Sequence, residues 1–131
     1  MKKILFVEDD PIIVQVYLGP LRNGGFEVEV AEDGLKALKI LLELRPDLVL
    51  LDVMMPKVDG TYVLKFIHSR TELKNTKVIV LSNASLADIG KETLAQHPDR
   101  VFLKSQATPK ELLKAVTELL GGDASILPHP S

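Results

Sequence analysis

The chain has 131 residues, enough for one ordinary domain with a real core, and its 46% hydrophobic and 26% charged residues are the balance of a soluble globular fold. With 16 basic and 18 acidic residues the formal charge is −2, which gives no electrostatic case for nucleic acid or an anionic membrane. No cysteine is present, so disulfides, thiolate catalysis and cysteine-based zinc sites are excluded.

Lys2 and Lys3 precede an apolar run, but acids arrive after four residues, too soon for a signal peptide. No apolar stretch approaches membrane-spanning length, so a cytoplasmic location is expected. Residues 3–7 predict the first strand, which runs into Glu8-Asp9-Asp10. Asp10 then reads as a helix N-cap with Pro11 at the first helical position. Ile12, Ile13, Val16, Tyr17 and Leu21 give that helix an apolar face, while Gly19-Pro20 predicts a kink or interruption. Asn23-Gly24-Gly25 ends it. Phe26-Glu27-Val28-Glu29-Val30 alternates, which predicts a half-exposed edge strand.

Asp33-Gly34 opens a second helix with Leu35, Leu38, Leu41 and Leu42 as its apolar positions. Arg45-Pro46-Asp47 turns the chain into Leu48-Val49-Leu50-Leu51, which ends in Asp52. Residues 54–60 are a loop of turn formers, with Asp59 before Gly60 as cap and turn, and Tyr62, Val63, Phe66 and Ile67 mark the helix that follows. After a polar turn, Val78-Ile79-Val80-Leu81 ends in Ser82. Ser85-Leu86-Ala87-Asp88 resembles a cap for a weak fourth helix that carries Gly90. Val101-Phe102-Leu103 ends in Lys104, and Thr108-Pro109-Lys110-Glu111 is a capping box for a last helix faced by Leu112, Leu113, Val116, Leu119 and Leu120. Residues 1–120 thus form one domain, and residues 121–131 read as a tail or linker.

Five βα units predict a parallel sheet with helices on both faces, and the alternating second strand belongs at its edge. The strand order 2-1-3-4-5 satisfies both conditions. In such sheets ligands bind beyond the carboxyl ends of the strands. Here those ends carry Glu8, Asp9 and Asp10, then Asp52, Ser82 and Lys104. Each has a plainer reading. Asp52 could cap the next turn, Ser82 could be an ordinary strand-end hydroxyl, and Lys104 could be an edge lysine that discourages aggregation. Asp10 is explained as a cap. His68, His97 and His129 share no metal-ligand spacing, and Met54-Met55 reads as loop packing.

Taken together, Val7-Glu8-Asp9-Asp10, Leu51-Asp52-Val53-Met54-Met55-Pro56-Lys57-Val58-Asp59-Gly60, Leu81-Ser82-Asn83-Ala84 and Lys104 resemble the receiver domain of two-component response regulators, the CheY-like fold, over about residues 2–120. The resemblance implies a doubly wound flavodoxin/CheY-like (βα)5 fold. It implies Asp52 as phosphoacceptor, Asp9 as a direct Mg2+ ligand (Mn2+ serving equally), and Glu8 acting on the metal mainly through water. It also implies the Met54 backbone carbonyl as a further ligand, Ser82 on a phosphoryl oxygen, and Lys104 on the carboxylate and then the phosphoryl group. The implied partners are a sensor histidine kinase or histidine phosphotransfer protein and a downstream protein; a phosphorylation-dependent homodimer stays open. The chemistry agrees with these residue types. A carboxylate can carry a phosphoryl group as an acyl phosphate, and one lysine cannot neutralise Glu8, Asp9 and Asp52, so the charge count itself asks for a divalent cation.

Three positions depart from the family pattern. Val101 stands where Tyr or Phe is usual, with Phe102 pointed by alternation to the other face; Ser105 replaces the proline that follows the lysine; and Asn83 replaces a small residue. These touch the output side of a switch, and Val101 and Ser105 modestly favour, as the alternative, a pseudo-receiver that binds a protein constitutively. A flavodoxin-like cofactor binder lacks its phosphate loop, because acids follow the first strand and would repel a phosphate. A haloacid-type phosphatase lacks its second Asp, because Met54 stands there. A switch with at most slow self-dephosphorylation, not an enzyme, is the expectation.

Overall fold

The computed structural model describes residues 1–53, 59–82 and 91–120, apart from the side chains of Lys91 and Glu92. Expectations for Met54, for the helix start at Ser85, for Asn83 and for the 121–131 tail lie outside the described residues. Ten main elements alternate along the chain: β1 Lys3–Val7, α1 Pro11–Asn23, β2 Glu27–Ala31, α2 Gly34–Leu44, β3 Leu48–Asp52, α3 Gly60–Ser69, β4 Lys77–Ser82, α4 Lys91–Ala95, β5 Arg100–Leu103 and α5 Pro109–Leu119. A 3-10 turn, Thr71–Leu73, joins α3 to β4. The five strands form one parallel sheet in the order β2-β1-β3-β4-β5, as the patterning predicts.

The sheet separates two cores. Ile4, Phe6, Leu48, Leu50, Ile79 and Leu81 face Tyr17 and Leu21 of α1 and Leu112 and Val116 of α5. The alternate residues Leu5, Val7, Val49, Leu51, Val78 and Val80 face α2 and α3. Covered on both faces, residues 4–7, 48–52 and 78–82 are all buried. At the edge, β2 alternates between buried and exposed, as expected.

Register is set at the end of the sheet away from the site. Lys3 N–H donates to Asp47 Oδ2 at 2.8 Å while Asp47 N–H donates to the Lys3 carbonyl at 2.8 Å. Asp99 does the same for β4 and β5, accepting from Val78 N–H at 2.8 Å and donating to the Val78 carbonyl at 2.9 Å. In each case a short side chain extends the ladder by one bond, and a one-residue slip would exchange the rows that face the two cores.

Two expectations about the helices need correction. Of the kink or interruption expected at Gly19-Pro20, the interruption is absent, because α1 runs through Pro20 to Asn23. Tyr17 and Leu21, buried on either side of it, hold the helix to the sheet, and Gly19 has open space around it. The apolar faces are also rotated from those predicted. Ile12, Val16, Leu35, Leu42 and Tyr62 are exposed, and Val14, Leu18, Ala37 and Leu64 take inward places. The caps fall where predicted. Asp10 accepts from Ile12 N–H at 2.9 Å, Asp59 from Thr61 N–H at 2.7 Å and Thr108 from Glu111 N–H at 3.1 Å. Among the described residues no helix is long and apolar enough to cross a membrane.

Candidate functional site

Parallel pairing determines which residues meet. Val7 pairs with Leu51, so the next residues on those strands, Glu8 and Asp52, stand level at the rim. Ser82 pairs with Leu103, so Lys104 is the first residue past the end of β5. By alternation Glu8, Asp52 and Lys104 follow Phe6, Leu50 and Phe102, all on the α1/α5 side of the sheet. Asp9 and Ser82 follow the opposite row.

The lysine reaches back across β4. Its Nζ lies 2.7 Å from Glu8 Oε1 and 3.3 Å from Asp52 Oδ2, with its side chain only 6% exposed. Glu8 and Asp52 are themselves buried, whereas Asp9 is exposed. Carboxylate oxygens of Glu8, Asp9 and Asp52 lie within 4.8 Å of one another. Ser82 is fully buried, and its carbonyl accepts from Lys104 N–H at 2.7 Å, which seats the lysine against the end of β4. Beside the acids, a cleft of about 360 Å³ opens among Glu8, Asp9, Pro11, Val14, Gln15, Val30 and Glu32.

Electrostatics follow from burial. Loss of water pushes the Glu8 carboxyl up to about 7, with the Asp52 charge adding to the rise and the Lys104 contact opposing it. Burial works to lower the Lys104 ammonium, but its contacts with Glu8 and Asp52 outweigh that and hold it above its ordinary value. Three carboxylates against one ammonium leave negative charge uncompensated. Two like charges ~4 Å apart repel by roughly 4 kcal/mol at an effective dielectric of 20. Clustered hard oxygen donors in charge excess fit a small divalent cation better than they fit each other.

Gly60 has a steric role that its turn-forming character hid. A Cβ there would sit 2.4 Å from Val53 Cα and 2.7 Å from the Asp52 carbonyl, so only glycine lets α3 start against the end of β3. Asp10 caps α1, and its own N–H donates to Glu8 Oε2 at 3.2 Å. The departure at Val101 is real in three dimensions: Val101 packs on the α2/α3 side and Phe102 on the α1/α5 side. The Lys104–Ser105 bond is trans. Tyr17, by sequence simply part of the α1 apolar face, has a further contact in the fold. Tyr17 donates its hydroxyl to the Ala107 carbonyl at 2.6 Å. The available signal was a phenol on an apolar stripe, which needs a partner once buried.

The response regulator receiver domain family matches residues 4–117. The chain belongs to that family. This receiver is 32% identical over 115 residues to the DNA-binding response regulator MtrA of Mycolicibacterium smegmatis, covering 88% of the chain but 49% of MtrA. It is 25% identical to the polar-differentiation response regulator DivK of Brucella anthropi, covering 92% of the chain and 97% of DivK. The receiver therefore spans about half of MtrA and nearly all of DivK. Among solved structures, chemotaxis response regulator CheY4 of Vibrio cholerae superposes with a TM-score of 0.82 at 29% identity, covering 91% of this chain and 98% of that one. Response regulator TrrA of Thermotoga maritima, crystallised in complex with Mg2+-BeF, gives 0.78 at 34% identity, covering 91% and 99%.

Proposed function

We propose that this receiver is a Mg2+-dependent phosphoacceptor switch with Asp52 as the acceptor. The observation that carries the proposal is the convergence of Lys104 on Glu8 and Asp52 at 2.7 and 3.3 Å, from a strand that neighbours neither. An edge lysine serving only solubility would extend into water instead.

The donor is a phosphohistidine on a sensor histidine kinase or a histidine phosphotransfer protein. An Asp52 carboxylate oxygen attacks phosphorus; the new P–O bond forms as the P–N bond to imidazole breaks, and the departing nitrogen takes up a proton. Glu8, Asp9 and Asp52 would hold Mg2+ or Mn2+, and the Met54 carbonyl is assigned to the same set by family resemblance. When bound, the ion neutralises charge on the transferring group. Lys104, already beside Asp52, moves its contact to a phosphoryl oxygen, and the Ser82 hydroxyl donates to another. The likeness to TrrA, whose structure contains Mg2+-BeF, supports this assignment. The acyl phosphate then biases the segment after β4 and the α4-β5-α5 face toward a downstream partner, and only slow self-hydrolysis ends the signal. Val101 and Ser105 are the grounds for a constitutive binding module, but they leave the acids and Lys104 converged, so the switch is the better-supported reading.

Treatment with a small-molecule phosphodonor and Mg2+, read by intact mass, tests the proposal. One phosphoryl group is expected on the wild type and none on Asp52→Asn. Equal labelling of the two proteins contradicts it.

A further inference from the structure

Lys104 acts from an insecure position. Its strand is only half-buried, and the next two residues, Ser105 and Gln106, are exposed. The turn closes mainly on itself, with Gln106 N–H and Ala107 N–H both donating to the Leu103 carbonyl at 3.0 and 2.9 Å. The first buried residue after Lys104 is Ala107, 7% exposed, and its carbonyl accepts the Tyr17 hydroxyl at 2.6 Å. Tyr17 comes from α1, ninety positions away, and is 3% exposed. Its ring meets Phe6 edge-on, with centroids 6.3 Å apart and planes at 70°. Phe6 lies two residues before Glu8 on β1. One side chain thus joins the strand that carries the acids to the turn that carries the lysine.

We propose that Tyr17 is a positioning residue for Lys104: its hydroxyl pins the turn after β5, and so keeps the ammonium where it meets Asp52 and an incoming phosphoryl group. The proposal rests on the receiver reading for the phosphoryl group but not for the lysine's placement. The neighbourhood is consistent with it. Burial raises the Tyr17 phenol, the Lys104 charge opposes that rise and the Glu8 charge adds to it. Without the hydroxyl, the buried Ala107 carbonyl loses its side-chain donor, and the turn relaxes toward water to satisfy it.

Tyr17→Phe removes the hydroxyl and keeps the ring against Phe6. Wild type and variant are compared by the 15N-edited resonance of the Lys104 ammonium without ligand, by Mg2+ affinity, and by beryllofluoride affinity in saturating Mg2+. The ammonium signal is expected to broaden through exchange with water. Beryllofluoride affinity falls about 3- to 10-fold, as loss of one buried hydrogen bond implies, while Mg2+ affinity changes less than about 2-fold. Phe6→Leu, which loosens packing and leaves the hydroxyl, retains the sharp ammonium signal. An unchanged ammonium signal in Tyr17→Phe, or equal loss of Mg2+ and beryllofluoride binding, overturns the proposal. If wild type itself ignores beryllofluoride, the phosphoacceptor proposal fails, and the unliganded ammonium signal still decides the role of Tyr17. If Tyr17→Phe does not fold, the wild-type hydroxyl proton is the readout. Slow exchange supports the pin, and averaging with water overturns it.

Discussion

The middle of the sheet and its β5 edge hold their functional groups by different means. On β1 and β3 every residue from 4 to 8 and from 48 to 52 is buried, so Glu8 and Asp52 sit at the ends of strands packed on both faces. Each buried Leu, Ile or Val there contributes roughly 1.5–3 kcal/mol, and displacing either acid means disturbing several of them. None of the β5 residues is fully buried, and Lys104 is placed by discrete ties: its N–H to Ser82, its ammonium to two carboxylates, and the turn beyond it to Tyr17. In the proposed switch the acceptor would benefit from rigidity, and a lysine exchanging a carboxylate for a phosphoryl oxygen would benefit from a strand whose bonds can be remade locally.

Lys104→Ala is expected to have the largest effect. If the edge strand supplies chemistry, labelling of Asp52 by a small phosphodonor falls about 100-fold or more, as loss of a preorganised charge contact at the transferring group implies. Labelling within a factor of two of wild type would reduce Lys104 to an edge lysine. On the rigid side, Gly60→Ala drives a Cβ into the backbone of Asp52 and Val53. Urea unfolding is expected to show a loss of about 2–3 kcal/mol, because two backbone segments must separate to admit the methyl group. An unchanged midpoint would mean that α3 starts without regard to β3.

A smaller effect comes from Glu8. Its carboxyl stands at about 7 in the fold against 4.5 as the ordinary value. Between those values the folded chain holds more protons than the unfolded one, so stability in EDTA is fully present below pH about 4.5 and declines as pH rises through about 7. If Mg2+ binds among these acids as proposed, the Glu8 proton competes with it, and its affinity should rise over the same window. Thermal melts across pH, with EDTA and with Mg2+, should diverge in that direction; parallel curves would mean that Glu8 carries its charge in the fold at ordinary pH.

Much of this was written in one-dimensional pattern. Unbroken apolar runs mark central strands, the alternating Glu27-Val28-Glu29-Val30 marks an edge, and a polar residue that ends each run falls at the rim by topology alone. That is why Glu8, Asp9, Asp52 and Lys104 could be named in advance and were found together. The helix faces could not be read so well. α1 is apolar on several sides, so hydrophobicity does not choose among them. The sheet selects the stripe through Tyr17 and Leu21 and leaves Ile12 and Val16 outside. The full parts played by Gly60 and Tyr17 are not legible in the sequence, because a close backbone approach and a hydrogen bond spanning ninety residues exist only after folding.

Glu8, Asp9 and Asp52, whose carboxylate oxygens lie within 4.8 Å of one another, are proposed to act as one cation-dependent acceptor site. Titration of the 15N-labelled protein with Mg2+, followed by beryllofluoride, tests it most directly. Mg2+ should move the amide signals of Glu8, Asp9 and Asp52 together along one saturable curve, and beryllofluoride should then move Ser82 and Lys104. Signals of the three acids that stay fixed, or that drift independently without saturation, would contradict the account.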